Sequence, residues 1–179
     1  MEKLRSLRGI KDPYSRRILG HVLNRNSFAI LQATPRKLRS LIKGLTKRQL
    51  NKIPASGKWT ITQLICHLTD TELVLSFRLR MAIAESGGPL QAMNEKLWAK
   101  HLGYSGGNVQ ERLALLTLLR KENVRLLRSL SPGQWKRFGM HMERGKETVS
   151  RMAQMYAGHD ENHVAQIRSI RRSLLQGSR

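Results

Sequence analysis

The chain is poor in cysteine, in aromatic residues and in acids, and each shortage narrows what it can be. Cys66 is the only cysteine among 179 residues, so no intramolecular disulfide forms and no oxidising compartment is implied. Phe, Trp and Tyr supply three residues each, too few for the base-stacking surfaces of single-strand readers. No zinc-finger, RRM or KH signature accompanies them. No stretch approaches the ~18 apolar residues that span a bilayer. Met1 to Ile10 is charged and never reaches the apolar run of a signal peptide. A cytoplasmic protein without a transmembrane segment is the expectation. The length fits one domain whose core needs neither disulfides nor a structural metal.

The shortage of acids leaves a net charge of +21, and its placement says more than its total. Residues 1–26 carry +5, and residues 27–58 carry eight Lys/Arg and no acid. Residues 59–107 are balanced, with four of each sign. The excess returns as +6 over 108–146 and falls to +2 over 147–179. Such a field attracts RNA, DNA or anionic membrane without sequence specificity.

What is abundant is apolar residues at helical spacing; no segment shows sustained strand-type alternation. Residues 1–25 read as a basic, loosely held N-terminal extension, and residues 26–179 as the folded domain. A first stripe runs through Phe28, Ile30, Leu31, Leu38, Leu41, Ile42 and Leu45, interrupted or restarted at Thr34-Pro35. Thr60-Ile61-Thr62-Gln63 has the form of a capping box and opens a second helix that ends near Gly87-Gly88-Pro89. A short helix fits around Glu95 to His101. Asn108 caps a third long helix, Ser131-Pro132 starts a short turn, and the last helix runs from about Thr148 to Gln176. Four long amphipathic helices with long crossover connections predict an all-α four-helix bundle. The first two long helices read as antiparallel neighbours. The long link between the second and third lets those two run parallel.

Three histidines carry the chemistry. His159 and His163 stand four residues apart, one turn apart on one helix face, and His67 comes from the second long helix. Three imidazoles from facing helices suit a divalent metal and leave a coordination position open, as catalytic sites do. A ligating imidazole wants its second nitrogen held by a carboxylate or carbonyl, which makes Asp70, Asp160 and Glu161 candidate supports. Arg78, eleven residues after His67, returns to nearly the same helix face and is a candidate for holding an anionic substrate group. Cys66 reads as a buried thiol, because the residue beside a ligand on a helix points ~100° away. His21, His101 and His141 lie in polar or loop-like surroundings, with His141 able to approach from the connection before the last helix. No nucleophile elbow, phosphate-binding loop or dinucleotide fingerprint is present.

At these residues the sequence resembles the DinB-like metal-binding helical bundles, especially the branch described as metal-dependent hydrolases. The resemblance rests on Gly57-Lys58-Trp59-Thr60-Ile61 leading into His67-Leu68-Thr69-Asp70-Thr71-Glu72, on Arg78-Leu79-Arg80, and on Trp98 and Tyr104. It continues with Gly145 before Thr148 and ends on Gly158-His159-Asp160-Glu161-Asn162-His163-Val164-Ala165-Gln166-Ile167. It implies a bundle of unusual connectivity, often homodimeric, with one zinc or nickel ion on His67, His159 and His163. It further implies a small-molecule substrate, with hydrolysis or transfer of a low-molecular-weight thiol such as bacillithiol or mycothiol as the chemistry. Asn94, where similar sequences often carry an acid, and the basic leader depart from the pattern. Neither the residues nor the resemblance names a general base.

Two functions of different class follow. The first is a metal-dependent enzyme, hydrolase or thiol S-transferase, built on the three histidines. The alternative is a basic helical protein that binds nucleic acid or other anions, with any metal incidental or structural.

Overall fold

Thr60 opens the helix that carries His67. Its hydroxyl accepts the Gln63 N–H at 3.2 Å, and the Gln63 side chain accepts the Thr60 N–H at 2.9 Å, so the predicted capping box forms. In the computed structural model, which describes residues 3–176, this helix is the second of four long ones. The long helices are α2 (Ser27–Ile42), α4 (Ile61–Ala84), α6 (Val109–Ser129) and α8 (Val149–Gln176). Between them lie α1 (Pro13–Gly20), α3 (Lys47–Leu50), α5 (Glu95–His101) and α7 (Pro132–Lys136). Asn26, Asn94 and Asn108 cap α2, α5 and α6 with side-chain oxygens that accept first-turn N–H groups. No helix among the described residues is long and apolar enough to cross a membrane.

Side-chain pairs fix the direction of each helix. Asp70 meets Arg112 and Ser76 meets Asn123, so α4 and α6 run parallel, as the long link between them allows. Lys37 meets Glu161 and Arg171 reaches the Leu41 carbonyl, so α2 and α8 are also parallel. His67 beside His163 and Arg78 beside Tyr156 set α4 antiparallel to α8. Packing runs α2, α6, α4, α8 around the bundle, which places α2 and α4 at opposite corners. The reading of α2 and α4 as neighbours is therefore corrected. The connection from Lys43 to Thr60, with α3 inside it, is long enough to cross the end of the bundle.

The apolar core comes in two blocks. One gathers Leu31, Leu75, Leu79, Leu127 and Met152, the other Leu38, Ile65, Leu68, Leu116, Val164 and Ile167. Between them every long helix turns polar at the same level, with Thr34, Glu72, Arg120, Asn123, His159, Asp160 and His163 all buried. Arg120 binds the two oxygens of Glu72 at 2.9 and 2.7 Å and those of Asp160 at 2.6 and 3.3 Å. Burial opposes the Arg120 charge, but the two carboxylates outweigh it and hold the guanidinium protonated.

Three features depart from the sequence reading. Pro35 neither interrupts nor restarts α2, which runs through it. A proline lacks the N–H that would bond the carbonyl four residues back, and that carbonyl, Leu31, accepts from Arg120 at 2.7 Å instead. The leader is not loosely held: Ile18, Leu19 and Val22 are fully buried in the core, and α1 packs on α8. Gly158 makes this possible, because a Cβ there would lie 2.1 Å from the Ile18 carbonyl oxygen. Finally, β1 (Pro89–Leu90) pairs in parallel with β2 (Phe138–His141), which pairs antiparallel with β3 (Gly145–Thr148). This small sheet closes the end of the α4/α8 face.

Candidate metal centre

His67 leaves α4 and His159 and His163 leave α8 one turn apart, and the antiparallel packing turns all three inward. Their ring nitrogens offer ligand atoms within 4.8 Å of one another. The His159 Nε2 lies 3.0 Å from the Nε2 of His67 and 3.0 Å from that of His163. Two imidazoles on one ion at ~2.1 Å, with an angle near ~90°, stand ~3 Å apart, so the arrangement fits a shared cation. Burial keeps the rings neutral: the His67 pKa is pushed down to about 3 and that of His163 to about 4. His159 falls well below the ordinary value, from burial first and its two neighbours next. Neutral imidazole is the ligating form. His163 Nδ1 lies 3.1 Å from Gln166 Oε1, which places its proton there and leaves the Nε2 lone pair facing the other rings. Trp59 packs edge-on against His67 with ring centroids 5.0 Å apart.

The proposed carboxylate supports do not hold the rings. Asp70 is paired with Arg112 at 3.0 Å, Asp160 with Arg120, and Glu161 with Lys37 at 2.6 Å and Arg25 at 3.0 Å. The Nδ1 atoms of His67 and His159 are buried with no hydrogen-bond partner among the described residues. The reason is angular. Asp160 follows His159 by one residue and so points about 100° away, into the polar layer. That layer sets two carboxylates against one guanidinium.

His67 and His159 line a cleft of about 100 Å³, with His163 behind them on α8. Its walls include Tyr14 from α1, Arg78 and Thr71 from α4, Glu95 from α5, His141 from β2 and Tyr156 from α8. Arg78 is buried, donates to the Tyr156 hydroxyl at 3.2 Å and to the Gln91 carbonyl, and has no carboxylate partner among the described residues. Its Nε has no partner at all there. His141 Nε2 lies 3.4 Å from the Arg78 guanidinium, and its Nδ1 accepts the Glu143 N–H at 3.2 Å. Burial, then Arg144 and Arg78, push the His141 pKa down, so the neutral ring carries its proton on Nε2. Burial also drives Tyr156 up to about 12, which keeps its phenol protonated.

Glu95 is the residue that the sequence did not single out. Its Oε2 lies 3.9 Å from His67 Nε2, on an exposed side chain at the mouth of the cleft. The signal was the Asn94 cap, which accepts the Leu97 N–H at 3.1 Å and fixes the first turn of α5. Cys66 is buried and turned away, its thiol toward the Tyr104 carbonyl at 3.7 Å. His101 ends α5 in an exposed position and His21 caps α1; neither lines the cleft.

A family profile described as the DinB superfamily matches residues 30–167. A protein of Oceanobacillus iheyensis named "Putative metal-dependent hydrolase" is 33% identical over 140 residues, covering 78% of this chain and 81% of that one. The Bacillus subtilis protein YfiT, with the same designation, is 28% identical over 147 residues, which cover 81% and 82% of the two chains. The solved structure of YfiT superposes with a TM-score of 0.78 at 26% identity, covering 83% of this chain and 85% of that one. It is described as a probable metal-dependent hydrolase with an unusual four-helix bundle topology.

Proposed function

The chain belongs to the DinB superfamily, and from that premise we propose that it is a metal-dependent hydrolase of a small anionic molecule. The observation that carries the reading is the convergence of three neutral imidazole nitrogens, two of them from residues that line a cleft. His67, His159 and His163 hold one divalent ion, which the resemblance to the DinB-like bundles makes zinc or nickel among the metals that suit imidazole. When bound, such an ion acts as a Lewis acid and brings the pKa of water near ~7.

The chain's own groups supply the rest. Glu95 accepts a proton from the attacking water and returns it to the leaving group, from a carboxylate 3.9 Å from a ligand nitrogen. Arg78 and the Nε2–H of His141 hold the anionic end of the substrate. The guanidinium is buried without a countercharge, and a carboxylate or phosphate completes it. Tyr156 keeps the guanidinium in place. Water, rather than an external low-molecular-weight thiol, is the nucleophile in this reading. The relatives' designations point the same way.

The test is elemental analysis of purified protein. Wild type is expected to carry about one divalent ion per chain, and His67→Ala, His159→Ala and His163→Ala are each expected to lose most of it. Unchanged metal content in all three variants overturns the reading. Glu95→Gln is expected to keep the metal and to lose ~100-fold or more in turnover of a p-nitrophenyl ester bearing a carboxylate.

A further inference from the structure

The charge excess of residues 27–58 and of residues 108–146 belongs to segments far apart in sequence, yet the fold joins them. α2 and α6 are neighbours in the bundle, and their shared face lies opposite the α4/α8 face that holds the three histidines. A groove of about 500 Å³ runs between them. Arg36 and Arg39 line one wall, and Lys121, Arg125 and Arg128 the other. All five side chains are exposed, and no acid among the described residues lines the groove. The nearby Glu122 pairs with Arg125 at 2.6 Å, on the solvent side. Arg128 is held in place, 5.2 Å from the Phe28 ring centroid and 3.2 Å from the Gln32 side-chain oxygen. The floor holds Pro35, Thr117 and Val124 with Arg120, the last already neutralised by Glu72 and Asp160.

We propose that this groove binds the phosphodiester backbone of nucleic acid, independently of the metal site. Guanidinium forks on two facing walls suit phosphate oxygens, which they take bidentately. A concave channel admits one strand of phosphates along its length, whereas a flat bilayer surface meets only its rims. No aromatic side chain lines the groove, so bases are neither stacked nor read, and binding is independent of sequence.

The experiment is fluorescence anisotropy of a labelled DNA duplex with the full chain across a salt series. Wild type is expected to bind with an affinity that falls steeply between ~50 and ~200 mM salt. Arg36→Gln/Arg39→Gln/Lys121→Gln/Arg125→Gln is expected to bind about tenfold or more weakly, with its log–log salt slope shallower by roughly 3 to 4. The Arg36→Gln/Arg39→Gln pair, confined to α2, is expected to show roughly half of that slope change. Lys47→Gln/Arg48→Gln/Lys52→Gln/Lys58→Gln removes the same charge from exposed positions elsewhere and is expected to keep the wild-type slope. His67→Ala is expected to bind as wild type does. Equal losses in the two fourfold variants overturn the proposal, as does absence of duplex binding by wild type at ~50 mM salt. Groove-dependent binding to phosphatidylserine vesicles with groove-independent duplex binding overturns it in favour of a membrane partner.

Discussion

Arg78 sits among a phenol, a carbonyl and an imidazole, with no carboxylate among the described residues to balance its charge. A charge-assisted hydrogen bond is worth about 1.5–3 kcal/mol, so Arg78→Met is expected to weaken binding of inorganic phosphate about tenfold or more, measured by calorimetry on metal-loaded protein. Asp12 makes a second prediction at this scale. Its carboxylate accepts the Ser15 N–H at 2.7 Å, and the Ser15 hydroxyl first and this N–H second hold its pKa below the ordinary value. A depressed carboxylate stabilises the fold above its unfolded pKa and loses that contribution as pH falls through its folded pKa. Asp12→Ala is expected to cost about 1 kcal/mol in urea unfolding at neutral pH, with the gap shrinking below about pH 4. The single residues that the sequence did point to were those on helices. His159 with His163, and Arg78 with His67, followed from helical spacing alone. His141 reaches the cleft from the connection before the last helix, as its position allowed, whereas Glu95 sits on the short α5, where no period relates it to the histidines. Asp70, Asp160 and Glu161 were near the ligands in sequence, but helix geometry turns each toward a cation on another element.

The long helices themselves were readable because caps and apolar spacing agree, and both act over a few residues. The capping box at Thr60 and the cap at Asn108 appear where expected. The strands were not readable, since two to four residues are too few to show alternation. Nor was the docking of α1, which depends on one absent side chain in another helix. Gly158 lets the end of α1 approach α8 so closely that any Cβ would strike the Ile18 carbonyl. Gly158→Ala gains helix propensity yet is expected to destabilise the protein by about 1–3 kcal/mol through overpacking. Because α1 also carries Tyr14 into the cleft, the same variant is expected to perturb the site. Gly20→Ala, with open space at its Cβ, is the control and is expected to be neutral or slightly stabilising in the same thermal unfolding measurement.

At the scale of the molecule, the order of the helices around the bundle decides what each face can do. Composition gave the charge of each segment, but not that α2 and α6 adjoin or that α2 and α4 lie diagonally, because pairing across the core depends on where long connections cross. Arg120 is the link between the two faces. It lies at the bottom of the basic groove, donates to two carboxylates from α4 and α8, and donates to the carbonyl that Pro35 leaves free on α2. It thereby joins all four long helices at the level of the metal centre. Arg120→Met leaves two buried carboxylates uncompensated and is expected to cost about 3–5 kcal/mol in chemical unfolding. Arg120→Met/Glu72→Leu/Asp160→Leu removes the charges together and is expected to recover most of that loss. The triple variant is expected to hold its divalent ion as wild type does, because its substitutions remove charges of both signs together near His159. Recovered stability with undiminished metal affinity would show that the polar layer serves the fold alone.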